Sequence, residues 1–359
     1  MHLMQLQIQN FRNLNNVNFE PVDGVNLITG LNASGKTSLL EAIYYLSHLR
    51  SFRSHQISDL INRQSSQLQL VAQIQTDSDN QIPIGIQRSR NKLEVRANRQ
   101  PIKRVADIAT LFPVLAIHPD SYKLITGSPS QRRQYLDWGV FHVEHNFFGV
   151  WQRFKKALSQ RNAALKSKQN DAYCSLWDKE LFEMATHIDN LRNKYLSDLQ
   201  PYLQELISKF FAAHEIEVRY KRGWNSDTGL DQLLKTELYK DRLKGFTQFG
   251  PHRAELIIKV DGQSAQTGIS RGQQKTLVAL LRLAQAQHFA ECTGRKCVLL
   301  YDDLAAELDS VYREKILDVL VNMKIQLFLT AIEVEQVNLS KWANKKMFHV
   351  EQGQVKDLI

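Results

Sequence analysis

Eight consecutive residues limit what this chain can fold into more than any other feature. Gly30-Leu31-Asn32-Ala33-Ser34-Gly35-Lys36-Thr37 spells G-x-x-x-x-G-K-T, the spacing of a loop that turns its backbone N–H groups inward around a polyphosphate. Such a loop needs a buried strand before it and a helix start after it, whose positive dipole end adds to the anion site. Val25-Asn26-Leu27-Ile28-Thr29 is short, apolar and β-branched, which predicts the strand. Leu39, Ile43 and Leu46 recur at helical spacing, which predicts a helix ending near Leu46. Gly30, Asn32, Ala33, Ser34, Gly35 and Ser38 are thus expected to face phosphate oxygens. Lys36 is expected at the β- and γ-phosphates and Thr37 on a Mg²⁺ ion.

The remaining chain alternates between sheet-like and helical patterning. Met4, Leu6 and Ile8 alternate with glutamines and predict an opening strand instead of a signal-peptide core. Leu68–Ala72, Ile82–Ile86 and Leu93–Arg96 predict antiparallel strands with turns near residues 78–80, 89–91 and 97–99. Pro113–Ile117 predicts a buried strand ending in His118-Pro119-Asp120. From about residue 132 to 242 the pattern is helical. Trp151, Phe154, Leu158 and Leu165 form one seam; Trp177, Leu181, Met184, Ile188, Leu191 and Tyr195 form another. This predicts an antiparallel helical hairpin about 35 Å long at 1.5 Å per residue, capped by Ser130 at its entry and ended or kinked at Pro201. Beyond it the α/β pattern returns, with strands expected at Glu255–Val260, Cys297–Tyr301 and Ile325–Thr330.

Lysine and arginine number 46 against 37 acids, a formal charge of +9. That excess favours a polyanionic partner, and two basic surfaces compete for it. Arg88 and Arg90 crowd the second half of the antiparallel strands. Arg132 and Arg133 precede a helical face carrying Arg153, Lys155, Lys156, Arg161, Lys166 and Lys168. Either is a solvated face or a track for a nucleic-acid backbone. Three cysteines without a C-x-x-C pair fit a reducing, cytoplasmic setting. No apolar run is long enough to span a bilayer, so no membrane partner is expected.

Two further motifs carry chemistry. Val298-Leu299-Leu300-Tyr301 runs into Asp302-Asp303. An acid at the end of a buried strand, downstream of a phosphate loop, can hold the metal. Asp302 takes that role and Asp303 the orientation or deprotonation of water, so Asp302, Asp303 and Lys36 form the expected catalytic set. Ser270-Arg271-Gly272-Gln273-Gln274 opens a helix and offers a second anion-binding end. One chain needs a single phosphate loop, so a second such end suggests a γ-phosphate held between two copies.

Taken in this order, the loop, Ser-Arg-Gly-Gln-Gln, Leu-Leu-Tyr-Asp-Asp and then Ala306-Glu307-Leu308-Asp309 resemble the ABC-type ATPases. More narrowly, Asn10–Leu14, Thr37–Ile43, Arg50–Arg53, Gly127–Pro129 with Arg132 and Arg133, and Gly250–Arg253 resemble the RecF family of bacterial recombination mediators, which is related to SMC and Rad50 heads. The resemblance covers essentially the whole chain. It implies an α/β ABC-type head, a mixed sheet carrying the phosphate loop, at residues 1–125 and 246–359, with a helical arm inserted at 126–245. It implies a weak, DNA-stimulated ATPase that dimerises on ATP, binds duplex and gapped DNA, and works with RecO and RecR to load RecA. By position it puts Ser270, Arg271, Gly272 and Gln273 against the partner protomer's nucleotide. It also puts Arg12 and His118 near the chain's own nucleotide. Ala33 stands where a glycine is common, and His118 where a glutamine is usual. The region near Cys174 lacks the cysteine pair of a zinc hook, so no zinc is expected. A structural DNA-tethering head and a transporter ATPase subunit remain as alternatives.

Overall fold

The computed structural model describes residues 1–167 and 170–358; Lys168, placed above on the basic helical face, lies outside them. Along the chain the strands are β1 (His2–Phe11), β2 (Leu14–Phe19), β3 (Val25–Thr29), β4 (Gln67–Gln75), β5 (Gln81–Ser89), β6 (Leu93–Ala97), β7 (Gln100–Pro101) and β8 (Val114–Ile117). They continue as β9 (Ile216–Lys221), β10 (Glu255–Val260), β11 (Gln263–Ser264), β12 (Val298–Tyr301), β13 (Leu327–Thr330), β14 (Lys345–Glu351) and β15 (Gln354–Asp357). The chain divides into two units. The first is Met1–Ser121 with the chain from Lys275 onward; the second is Tyr122–Gln274.

In the first unit, alternating sequences and wholly apolar ones separate into two sheets. The glutamine-rich strands make the antiparallel sheet β2-β1-β4-β5-β6-β7, in which Leu6, Ile8, Leu68, Leu70, Ile84 and Ile86 face inward. The apolar runs make β15-β14-β3-β13-β12-β8, parallel except for the antiparallel β14–β15 pair. Strands β3, β8, β12 and β13 are buried along their whole length, as expected when a parallel sheet is covered on both faces. The two sheets share one core: the Phe19 ring lies 4.5 Å from Phe348 and 6.0 Å from Phe328. A buried amide links the start of β1 to the start of β13. Gln326 Nε2 donates to the carbonyls of Leu3 and Val22, at 2.8 and 2.9 Å, and its Oε1 accepts from Leu3 N–H at 2.8 Å.

The second unit holds the helices Pro129–Val143, Phe147–Lys166 and Asp178–Phe210, with the small antiparallel sheet β11-β10-β9. Four expectations are corrected here. First, β9 interrupts the stretch read as helical. Its Ile216-Glu217-Val218 alternation buries Ile216 and Val218 and pairs with β10. The unit therefore extends past residue 245, through β10 and the Ser270 loop.

Second, of the end or kink expected at Pro201, an end is excluded: the helix Asp178–Phe210 is continuous through it over 33 residues in all, about 50 Å at 1.5 Å per residue. Pro201 and Ser197, whose carbonyl the ring deprives of a partner, lie on the exposed side where water can serve it. Leu199, Leu203 and Leu206 on the other side stay buried.

Third, the residue before the helix Pro129–Val143 is Ser128, not Ser130, with Pro129 at the first helical position, where a proline's missing N–H is not needed.

Fourth, Arg161 is not on a solvent face. It follows Phe154 and Ala157 and precedes Ala164 on the buried stripe. Its guanidinium is fully enclosed, donating to Asp178 at 2.7 Å, Asp241 at 2.6 Å, Thr247 at 2.8 Å and the Leu234 carbonyl at 3.0 Å. Leu158, expected on the seam, is only half-buried.

A second enclosed arginine organises the Gly250-Pro251-His252-Arg253 turn. Arg192 grips Asp137 through Nε at 2.8 Å and Nη2 at 3.0 Å, and donates Nη1 to the Pro251 carbonyl at 2.7 Å. Beside it, His252 Nε2 donates to the Thr247 carbonyl at 3.0 Å, and its ring lies 5.9 Å from Phe154. Burial pushes the His252 pKa down to about 4, with Arg253, Arg133 and Lys155 adding to the shift against the opposing Thr247 bond. The unfolded chain takes up this proton near the ordinary value of about 6.5, and the folded chain only near 4. Stability from this group is therefore complete above pH 6.5 and is lost as pH falls from there to 4, by at most roughly 3 kcal/mol. Urea unfolding of His252→Gln is expected to show a flatter dependence than the parent chain across this window; equal slopes would contradict the assignment.

Candidate nucleotide site

The phosphate loop leaves the C-terminal end of β3, between the parallel neighbours β13 and β14. Its two glycines meet different constraints. Gly30 has φ 143°, and a Cβ there would lie 2.2 Å from the Val350 carbonyl oxygen. Gly35 has φ 127°, with Asn13 Nδ2 at 3.0 Å from a Cβ. Ala33 also takes a left-handed conformation, φ 64°, which an alanine tolerates at a cost of roughly 1–2 kcal/mol. The loop is pinned from outside: Asn13 Nδ2 donates to the Ser34 carbonyl at 3.1 Å, and Gly353 N–H to the same oxygen at 2.8 Å. The following helix, Lys36–His48, has no side-chain cap at its start, which leaves first-turn N–H groups for an anion. Lys36 Nζ lies over the loop, donating to the Gly30 and Leu31 carbonyls at 2.7 and 3.0 Å. Burial lowers the Lys36 pKa, while Asp303 and Asp302 act to raise it.

The acid pair is placed by β12, which runs between β13 and β8 and ends at Tyr301. Asp302 is 4% exposed. Thr37 Oγ1 donates to its two carboxylate oxygens at 3.1 and 2.9 Å. Thr330 Oγ1, at the end of β13, donates to Oδ1 at 2.8 Å and accepts the Asp303 N–H at 2.7 Å. Burial raises the Asp302 pKa; the Thr330 and Thr37 hydrogen bonds oppose it, and neighbouring Asp303 adds to it. Asp303 itself has φ 61°, a turn that aspartate accommodates better than most residues. It redirects the chain from β12 into the short helix Leu304–Glu307.

These groups line a cavity of about 470 Å³ together with Arg12, Asn13, Asn32, Ala33, Gly35, Ser38 and Arg53. Arg12 was expected here; Asn13, Arg53 and Thr330 were not assigned a role. Arg12 is held by Glu41, a fully buried carboxylate in the phosphate-loop helix. Arg12 Nε and Nη2 both pair with it, the latter at 2.6 Å, while Nη1 donates to the Asp59 carbonyl at 3.1 Å. The Ser51 hydroxyl also bonds Glu41, and Arg53 Nη1 lies 3.8 Å from it. A charged residue between Leu40 and Ala42 on an otherwise buried helix is the signal that marks Glu41. The donor set suits a hard cation shared with phosphate oxygens: one hydroxyl and one carboxylate. Among the described residues no cluster of three or more His, Cys, Asp or Glu side chains could hold a metal alone.

The other expected residues lie elsewhere. His118 follows β8, its ring stacked on Phe52 at 4.7 Å and its N–H donating to Ser121 Oγ at 2.9 Å; it is not among the residues that line the cavity. In the second unit, Ser270 and Gln273 close a reciprocal cap. Ser270 N–H donates to Gln273 Oε1 at 2.9 Å, and Gln273 N–H to Ser270 Oγ at 3.3 Å. Ser270, Arg271 and Gly272 are exposed, and a Cβ on Gly272 would meet nothing closer than Ser270 Oγ at 4.0 Å.

Of the expected polyanion contacts, Arg90, Lys155 and Lys156 are exposed. Arg88 is half-buried, on the same side of β5 as Ile84 and Ile86, the position strand alternation dictates. Arg132 is a clamp: Nε and Nη2 hold Glu255 at 2.6 and 3.1 Å, and Nη1 donates to the Ile125 and Gly127 carbonyls at 3.2 and 2.9 Å. Arg133 Nη1 donates to the Ala254 carbonyl at 2.9 Å.

Comparison with known proteins agrees with this geometry. A family model described as the RecF/RecN/SMC N terminal domain matches residues 2–356. The chain is 41% identical to the DNA replication and repair protein RecF of Cellvibrio japonicus (strain Ueda107) over 362 residues, covering 99% of each. It is 40% identical to the protein of the same name from Thioalkalivibrio sulfidiphilus (strain HL-EbGR7) over 354 residues, covering 98% of each. Among solved structures it is similar to the recombination mediator protein RecF with ATP, at TM-score 0.89 and 29% identity, covering 100% of this chain and 98% of that one. An Smc head domain from Pyrococcus furiosus shares the fold, at TM-score 0.60 and 15% identity, covering 99% and 96%.

Thr330→Val removes one donor from a buried carboxylate and leaves the Asp303 N–H without its acceptor. The variant is expected to lose about 1–3 kcal/mol of unfolding free energy, read from denaturant midpoints. Thr330→Ser, which keeps the hydroxyl, is expected to retain most of it; equal losses in both would show that the hydroxyl does not matter.

Proposed function

The chain belongs to the RecF family of the RecF/RecN/SMC N-terminal-domain group, and from that premise we propose that it is an ATP-dependent DNA clamp of recombinational repair. The reading rests on one observation above all. The cavity that joins the phosphate loop to Asp302 and Asp303 is lined by first-unit residues alone, while Ser270 and Gly272 are exposed residues of the second unit. A second copy that supplies this loop to the cavity would complete the site.

In this scheme the loop N–H groups and Lys36 bind the nucleotide phosphates, and Arg12 contributes positive charge from the cavity wall. Thr37 and Asp302 would hold Mg²⁺, which supplies charge neutralisation as the terminal phosphoryl group departs. Thr330 keeps the Asp302 carboxylate aimed at Thr37. Asp303 orients the attacking water or takes its proton. Ser270 and Gly272, with Arg271 and Gln273, grip the γ-phosphate of the partner's nucleotide. Binding therefore closes two copies, and slow, DNA-stimulated hydrolysis reopens them. Duplex and gapped DNA are the polyanions for the +9 chain. On the family resemblance it acts with RecO and RecR to assist RecA loading. No helix among the described residues is long and apolar enough to cross a membrane, and the transporter reading draws no support from that. Arg90, Lys155 and Lys156 are better tests of DNA contact than Arg132, whose loss would first break the Glu255 clamp.

Ser270→Arg is expected to keep ATP binding and to abolish ATP-dependent dimerisation in sedimentation; a dimer at saturating ATP would refute the shared site. Lys36→Ala should weaken ATP binding and cut turnover by at least tenfold, an effect on the order of 1.4 kcal/mol or more; unchanged turnover would remove the loop from catalysis. Affinity for duplex DNA should fall steeply between low and moderate salt; a flat response would argue against phosphate contacts.

A further inference from the structure

One buried charge in the first unit does more than seat an arginine. Glu41 lies in the phosphate-loop helix four residues after Thr37, so both share one helix face. Its carboxylate is fully enclosed, a placement that is costly unless its oxygens are paired. Two separate stretches of chain supply the partners. From the first, Arg12 grips it through Nε and Nη2. Arg12 is also fixed from behind. Its N–H donates to the Leu60 carbonyl at 2.7 Å, and its carbonyl accepts from Asn62 Nδ2 at 2.8 Å. Its φ is 52°, a conformation that a residue with a side chain keeps only when its surroundings hold it. From the second stretch, the Ser51 hydroxyl donates to the carboxylate and accepts the N–H groups of Arg53 at 2.8 Å and Ser54 at 2.9 Å. One oxygen thereby ties the whole turn to Glu41. Arg53 Nη1 lies 3.8 Å from the carboxylate, an ion pair too long for a hydrogen bond, and the Arg53 charge also acts on Asp302.

A buried Arg–Glu pair is by default a clamp, as Arg132–Glu255 is. Two observations set this one apart. Arg12 and Arg53 both line the cavity of the phosphate loop, while Arg132, Arg161 and Arg192 do not. One carboxylate also faces two guanidiniums, so the cluster keeps a net positive charge beside the loop. Arg53, with 46% of its side chain exposed, carries that excess. An anionic ligand is the group that such a guanidinium receives best. We propose that Glu41 is a positioning residue of the nucleotide site: it sets Arg12 directly, and Arg53 through Ser51, at the cavity wall where they meet the phosphates. The inference rests on the reading of this cavity as a nucleotide site and adds the residue that aims its cations. By charge alone, a carboxylate beside an anion site opposes binding, so its removal should tighten it. By positioning, its removal weakens binding, and the two accounts differ in sign.

The test is titration of the full chain with fluorescently labelled ATP and Mg²⁺, without DNA, alongside thermal unfolding of each variant. Arg53→Gln is expected to weaken binding about tenfold, the loss of one charge-assisted contact, and Glu41→Gln at least as much. Because Glu41 acts through its arginines, the two losses should not add. Arg53→Gln introduced into the Glu41→Gln chain should weaken binding by no more than about twofold further. Ser51→Ala leaves the Glu41–Arg12 pair in place and removes only the tie to the turn. It carries the same cycle with Arg53→Gln should Glu41→Gln fail to fold. Additive losses in the cycle, unchanged affinity, or tighter binding by folded Glu41→Gln would each overturn the proposal. Lys36→Ala reports on the site itself. If Lys36→Ala binds ATP as the parent chain does, the nucleotide-site reading falls and the inference with it. If Lys36→Ala weakens binding and the Glu41 cycle is additive, the inference falls alone.

Discussion

The carboxylate of Asp302 is held by two hydroxyls, one from each side of the nucleotide cavity, and the arrangement of the first unit follows from that contact. Thr37 brings the phosphate-loop helix to it, and Thr330 brings the end of β13. The acid stands at the end of β12, beside β13 in the same parallel sheet. A buried carboxylate without donors would cost several kcal/mol. The two threonines offset that cost while holding the carboxylate at the wall of the cavity that the phosphate loop also lines. The same Thr330 hydroxyl receives the Asp303 N–H, so the second acid is oriented by the device that holds the first. This is a preorganised polar centre: its donors are in place before any ligand arrives.

A second theme is the division of the cations. A basic chain invites the reading that its arginines face a polyanion, yet several of the arginines most prominent in the motifs are structural. Arg12 is seated on buried Glu41, Arg132 on Glu255, Arg192 on Asp137, and Arg161 between Asp178 and Asp241. Guanidinium suits this work because its planar fork meets a carboxylate with two parallel bonds and still donates to carbonyls. Lys155 and Lys156 stay exposed, as do Arg90, Arg219 and Lys221. The positive charge left on the surface is therefore smaller than the composition suggests, and part of it lies on the run from Arg90 to Arg104, where Lys92, Arg96 and Arg99 are also exposed.

Much of the first unit was legible because its signals are local. The phosphate loop, the alternating strands, the apolar strand before Asp302 and the Asp261-Gly262 turn between β10 and β11 all depend on near neighbours. The turn is a two-residue connection with φ 50° and 77°, which Asp-Gly supplies readily. The misreadings share the opposite character. The β9 alternation is plain once β10 is known to be its partner, but it sits between helical stretches and has no partner nearby in sequence. Arg161 falls on the buried stripe by spacing alone; its charge argued for solvent, and only Asp178, Asp241 and Thr247 from distant turns make burial tolerable. Pro201 breaks a helix where its lost hydrogen bond is hidden, and here the carbonyl it deprives faces water.

What sequence determined was thus the local chemistry: a loop of the type that wraps a polyphosphate, an acid that follows a buried strand, and a second helix that opens at Ser270-Arg271-Gly272. Those conclusions need only residue type, spacing and the backbone geometry of one turn, all short-range quantities. Tertiary structure alone decided that Asn13 and Arg53 line the same cavity as the phosphate loop, that the Thr330 hydroxyl holds Asp302, that buried Glu41 seats Arg12, and that Arg132 and Arg161 are clamps. Each depends on groups far apart in the chain being brought within hydrogen-bond or ring-contact distance. Burial energies and paired charges set such meetings, and no local pattern records them.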